Sequence, residues 1–162
     1  MESELYLKMR QVEDNHWWFV GRRQIGRHIL SSLRLPGSAR ILDVGCGTGG
    51  NFKVLAEFGH VTGMECDQIA ATIARGRNGV EVIQGSLPGA VPFVPSQFDL
   101  ITAFDVIEHI DDDVASLATL HGLLAPGGYL LMTVPAFRFL WSDHDEQHHH
   151  RRRYDARRLR DV

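Results

Sequence analysis

The chain has 162 residues, 44% of them hydrophobic, with 17 Lys and Arg against 20 Asp and Glu, a formal charge of −3. That is the size and apolar content of one ordinary domain; it excludes a wholly disordered chain and gives no global case for a nucleic-acid or anionic-membrane partner. Two cysteines are too few for a disulfide framework, no apolar stretch approaches the roughly 18 residues of a membrane span, and Glu2 and Glu4 stand where a signal peptide would be basic, so a soluble cytoplasmic protein is expected.

Residues 2–14 and 21–33 read as two amphipathic helices flanking the aromatic run Trp17-Trp18-Phe19. Residues 39–44 form a first strand closed by glycines, and 51–58 a short helix ended by Gly59. A second strand covers 60–65, a helix 68–77 and a third strand 80–84, after which Pro88, Pro92 and Pro95 mark a loop. A fourth strand spans 98–104. Asp111, Asp112 and Asp113 then supply acids at a helix start, and Val114, Leu117, Leu120, Leu123 and Leu124 mark its apolar face. The turn Ala125-Pro126-Gly127-Gly128 stops that helix, and a fifth strand, 129–134, ends at Pro135. Alternating strand and helix periods between residues 39 and 135 predict βαβ units, hence an α/β, doubly wound, mostly parallel sheet with helices on both faces and an N-terminal helical extension.

The glycines of Gly45-Cys46-Gly47-Thr48-Gly49-Gly50 follow a strand and open a helix, where backbone can approach a ligand closely. Gly45, Gly47 and Gly50 keep the dinucleotide spacing, and Glu65, twenty residues past Gly45, ends the second strand where a ribose-binding carboxylate belongs. Alone, this fits a nucleotide-type site or an ordinary tight turn. Asp43, two residues before Gly45, would repel a pyrophosphate and favour a cation. S-adenosylmethionine is such a ligand, with an ammonium, a sulfonium and a ribose hydroxyl pair; the alternative is that Asp43 caps the next helix.

These residues resemble the class I S-adenosylmethionine-dependent methyltransferases, in the small-molecule branch that includes ubiquinone-pathway enzymes. The stretch Ile41-Leu42-Asp43-Val44-Gly45-Cys46-Gly47-Thr48-Gly49 resembles the family's first motif, and Val61-Thr62-Gly63-Met64-Glu65 its second-strand signature. Phe98-Asp99-Leu100-Ile101 with Asp105-Val106-Ile107-Glu108-His109 resembles the fourth-strand motif, and Leu124-Ala125-Pro126-Gly127-Gly128 the turn before the fifth strand. The resemblance implies a Rossmann-like fold binding S-adenosylmethionine and releasing S-adenosylhomocysteine. It places Asp43, Gly45, Cys46, Gly47 and Gly49 around the methionine end, Glu65 on the ribose, and Cys66, Ser86 and Leu87 beside the adenine. Many relatives have aspartate at the position of Ser86, so a hydroxyl or backbone contact replaces that carboxylate here. Phe104 and Asp105 line the crevice. Cys46 is read as a small bystander in the loop and not as a catalytic thiol.

Transfer to a hydroxyl calls for a general base, and histidine titrates near neutrality. His109 is the first candidate and His144 the second; His109 could instead pack under the following helix, and Glu108 be a solvated helix-cap acid. Residues 17–23 could form a lid in which Arg22 meets the cofactor carboxylate, or a helix packed on the sheet. His144 and His148, four apart with carboxylates between them, have metal-ligand spacing, but the family chemistry usually needs no metal and none is expected. Six arginines, Arg151, Arg152, Arg153, Arg157, Arg158 and Arg160, form either a solvated or partner-facing helix or a patch for an anionic, glycan-linked or lipid-linked acceptor.

One domain is expected over 1–162: N-terminal helices or lid (1–36), cofactor-binding core (37–135), and acceptor-side loop with basic tail (136–162). The family's full fold has two further strands, for which the 27 residues after Pro135 leave no room. Either the chain is shortened or a second copy or partner subunit covers the sheet edge. The rivals to methyl transfer onto a small or medium acceptor are a cofactor-binding module without turnover and an RNA methyltransferase, the latter resting on the arginines alone; a nicotinamide dehydrogenase is more distant.

Overall fold

The computed structural model describes residues 3–77 and 79–162, so the Glu2 end of the predicted first helix lies outside the described residues. The chain opens with α1 (Ser3–Val12) and α2 (Trp17–Ser32). The aromatic run does not precede the second helix; it forms its first turn. His16, in extended conformation, accepts from the Trp18 amide at 3.4 Å and starts α2 four residues earlier than the apolar pattern suggested.

The core follows as β1 (Ala39–Val44), α3 (Phe52–Leu55), β2 (Gly59–Glu65), α4 (Gln68–Arg75), β3 (Glu81–Gln84), β4 (Phe98–Phe104), α5 (Asp113–Leu123) and β5 (Leu124–Thr133). All strand pairings are parallel, in the order β3-β2-β1-β4-β5. Alternate residues of the central strands serve opposite faces: Leu42, Val44, Ile101 and Ala103 pack with Leu120 and Leu123 of α5. Ile41 and Leu100 pack with Leu30 of α2 and Leu55 of α3. Covering on both faces is why these strands read as near-continuous apolar runs. The sheet is doubly wound, with its order reversing between β1 and β4; the crevice beyond their carboxyl ends is where such sheets take ligands.

The Ala125-Pro126-Gly127-Gly128 segment is not a separate turn before the last strand. α5 ends at Leu123 and β5 starts at once, the register jumping from Phe98–Leu124 to Leu100–Tyr129, so the proline-glycine stretch is an irregularity within the strand. Gly127 takes φ +78°, which a residue with a Cβ rarely adopts.

Beyond β5 come a 3-10 turn (Arg138–Leu140), α6 (Asp143–Gln147) and α7 (Arg158–Asp161). The tail between these last two helices folds back on the domain. Tyr154 is buried, its amide donates to the Pro135 carbonyl at 2.9 Å, and its hydroxyl donates to Asp113 at 2.8 Å. Arg152 pairs with Asp113 at 2.6 Å and Arg153 with Asp145 at 2.7 Å. The expected arginine patch is therefore divided: these two cations are consumed in docking the tail, while Arg157, Arg158 and Arg160 stay exposed. Among the described residues no helix is long and apolar enough to cross a membrane.

Candidate active site

The loop after β1 passes through positive φ at Gly45, Gly47 and Gly49 (+60°, +55° and +79°). A Cβ on Gly45 would lie 2.6 Å from Val106 Cγ2, whereas one on Gly47 would project into open space. The loop thus packs tightly against Val106 at Gly45 and leaves open space beside the bare backbone of Gly47. Cys46 anchors it, its amide donating to the Met64 carbonyl at 3.1 Å. Burial, helped by the charges of Asp43 and Glu65, pushes the Cys46 thiol up, so it stays protonated and is no nucleophile.

Two carboxylates, Asp43 at the end of β1 and Glu65 at the end of β2, adjoin the glycine loop. Asp43 is 1% exposed and is no helix cap: Thr102 Oγ1 donates to its Oδ1 at 2.7 Å, and Oδ2 has no hydrogen-bond partner. Burial, with the Glu65 charge adding to it, pushes Asp43 up to about 7. Glu65, at the end of β2, accepts from the Gly47 amide at 2.8 Å on one oxygen and from the Cys66 and Asp67 amides at 2.8 and 2.9 Å on the other. It locks the loop, and the oxygen with a single donor keeps a lone pair for a hydroxyl. Cys66 is exposed beside it. Ser86 is exposed and bridged to Ala90, and Leu87 packs partly buried against the core, both just beyond β3.

A clamp that the sequence did not suggest holds the loop from outside. Glu13, 4% exposed just past α1, accepts from Thr48 Oγ1 at 2.8 Å and forms an ion pair with Arg77, which also reaches Asp14. These partners lie 35 and 64 residues apart, beyond the reach of local spacing rules. Arg22 of α2 bridges the ends of β4 and β5, pairing with Asp105 and donating to Thr133 Oγ1 at 2.7 Å. Asp105 sits at φ +56° directly after Phe104, which is half-buried at the end of β4. Within α2, Trp17 is 73% exposed while Leu30 near the other end packs on the sheet, so the helix carries features of both the lid and the packed-helix expectations.

On the acceptor side, the 3-10 turn Ile107–His109 follows β4. Glu108 is not a solvated cap: it is fully buried with neither carboxylate oxygen partnered, and burial pushes it up to about 8. His109 is half-buried, and burial, then the neighbouring His150, push it down to about 4, so the ring is neutral at physiological pH and not poised near neutrality as expected. Its ring centroid lies 4.8 Å from that of His150, which sequence spacing did not single out. His144 is exposed on α6, 4.2 Å from His148 and 6.1 Å from His150 between ring centroids, so His150 neighbours both candidate histidines. The ligand atoms of Glu108, His109 and His150 fall within 4.8 Å of one another, a different grouping from the His144–His148 pattern.

Residues 18–162 match the family model for a methyltransferase domain. The ubiquinone biosynthesis O-methyltransferase of Xanthomonas campestris pv. campestris is 31% identical over 134 residues, covering 74% of this chain and 56% of that enzyme. Two solved structures share the fold. One is a Haloferax volcanii methyltransferase in complex with the Trm112 methyltransferase activator (TM-score 0.78, 18% identity, 98% of this chain and 72% of that one). The other is the Haemonchus contortus phosphoethanolamine N-methyltransferase 2 in complex with S-adenosyl-L-methionine (TM-score 0.69, 19% identity, 87% and 35%). The chain belongs to the class I S-adenosylmethionine-dependent methyltransferases. It spans little more than half the length of the curated relatives it matches.

Proposed function

We propose that this chain binds S-adenosylmethionine in the hollow at Gly47 and passes its methyl group to a small or medium-sized acceptor on the His109 side. The observation carrying this reading is the unpartnered Asp43 Oδ2, buried beside a loop whose Gly47 faces open space. A buried carboxylate short of a donor is stabilised by a cation, and the methionine end of this cofactor is cationic. Asp43 would hold that end, Glu65 would take the ribose hydroxyls, and Cys66, Ser86 and Leu87 would border the adenine. Bound there, the sulfonium supplies an activated methyl with its own leaving group, so the protein's task is chiefly alignment.

Arg22, tied to Asp105 and Thr133, fastens α2 to the ends of β4 and β5 and would offer positive charge to the cofactor carboxylate. Glu13 and Arg77 brace the loop from the opposite side. His109, kept neutral, presents a lone pair for an acceptor hydroxyl, with the more exposed His144 reached through His150. Exposed Arg157, Arg158 and Arg160 favour an anionic or glycan-linked or lipid-linked acceptor over a neutral one. Turnover is tested by following methyl transfer from the cofactor to mixed hydroxylated acceptors by mass spectrometry, after S-adenosylhomocysteine binding is established. Methylated product that disappears in His109→Ala supports the reading; binding without product for any acceptor supports a non-catalytic module instead.

A further inference from the structure

The first helix, α1, does not dock through an apolar stripe. Its Leu7 and Val12 are 53% and 45% exposed, while Tyr6 and the following Glu13 are 8% and 4% exposed. The Glu13 amide donates to the Met9 carbonyl at 2.8 Å, so the helical path continues through it and the two buried residues, seven apart, share one face. Both stand upstream of the methyltransferase-domain match, which begins at Trp18.

Each buried residue meets a different part of the proposed cofactor site. Glu13 accepts from Thr48 Oγ1 on both oxygens at 2.8 Å and pairs with Arg77. It lies so close to the glycine loop that a Cβ on Gly50 would come within 2.5 Å of its carboxylate. Tyr6 belongs to the nucleoside side, because α1 packs against α4, whose N-cap Asp67 follows Glu65 by two residues. Burial, with the charges of Glu65 and Asp67 adding to it, pushes the Tyr6 hydroxyl up, so it keeps its proton as a donor. Among the described residues no hydrogen bond uses that proton. A helix with so little apolar burial belongs to the low-stability end of a fold, where a ligand decides whether it is ordered.

We propose that α1 closes the nucleoside side of the cofactor site, with Tyr6 donating its hydroxyl to the bound S-adenosyl compound and Glu13 as the positioning residue that ties α1 to the glycine loop. Docking of α1 and cofactor binding are then one coupled equilibrium, each favouring the other by the same factor. This inference rests on the proposed binding of S-adenosylmethionine beside Gly47 and adds the residues that hold the helix against the ligand.

The test measures S-adenosylhomocysteine binding to the full chain by calorimetry, and hydrogen exchange of α1 with and without that ligand. Bound ligand should slow exchange in α1 about tenfold. Glu13→Gln, which keeps an acceptor for Thr48 and loses the charge facing Arg77, should bind about tenfold more weakly and lose that protection. Tyr6→Phe, which keeps the buried ring, should bind about threefold more weakly while melting at the parent temperature when no ligand is present. Circular dichroism checks folding; if Glu13→Gln does not fold, Tyr6→Phe decides. Exchange in α1 that ignores the ligand, or parent affinity in either variant, overturns the proposal and leaves the cofactor reading standing. A parent chain that binds no S-adenosylhomocysteine overturns both.

Discussion

Asp43 and Glu65 do different work with the same functional group. Glu65 sits among three backbone amides and organises the loop, whereas Asp43 has one hydroxyl donor and an oxygen with none. The folded-state value of Asp43, about 7 against the ordinary 3.8, is raised, so its contribution to stability is full below about pH 4 and is lost as pH rises through about 7. Asp43→Asn should therefore melt higher than the parent at pH 8, by an amount on the order of 2 kcal/mol, while losing cofactor affinity; scanning calorimetry at pH 5 and 8 checks the sign. The placement of Asp43 and the glycines was legible in the sequence because they follow one another along one loop. The burial of Glu108 was not, since an acid after a strand looks the same whether solvent reaches it or not, and its solvated reading was wrong.

At the scale of elements, two long-range couplings fix what the sheet alone leaves loose. α1 is joined to the glycine loop through Glu13, Thr48 and Arg77. Removing the cation strands a nearly buried acid, so Arg77→Ala should cost about 2–4 kcal/mol, felt as undocking of α1. Hydrogen exchange should then quicken over α1 and residues 48–51 while the β1 and β4 amides stay protected. The tail is joined to α5 through Tyr154, Arg152 and Asp113. Tyr154→Phe should cost about 1 kcal/mol in denaturant melts, because Asp113 keeps its arginine. Although burial opposes it, Arg152 and Tyr154 hold the Asp113 carboxyl below its ordinary value; this support is present above about pH 4 and fades as pH falls further, so the tail should loosen first in acid. Strands β1, β2 and β4 were readable from apolar runs bounded by glycines and charges. The start of α2 was missed because its cap is a histidine, outside the usual capping set, and the start of β5 because a proline-glycine turn signal can also be accommodated inside a strand.

At the scale of the whole molecule, a parallel sheet whose order reverses between β1 and β4 delivers the glycine loop and the Glu108–His109 turn to one crevice. The doubly wound fold was legible from the alternation of periods, and the glycine loop from residues close together along the chain. The return of the tail over the β4 turn was not, because Asp145, His150 and Arg153 find His109, Glu108 and one another only once β5 is in place. Whether Asp43 binds a cation in the open space beside Gly47 is decided by calorimetric titration with S-adenosylmethionine at pH 8 and pH 6. A proton competing for a carboxyl that titrates near 7 makes binding about tenfold weaker at pH 6 than at pH 8, and Asp43→Asn should abolish that difference together with most of the affinity. Affinity indifferent to both pH and Asp43→Asn, or a preference for NADH over S-adenosylmethionine, would contradict it.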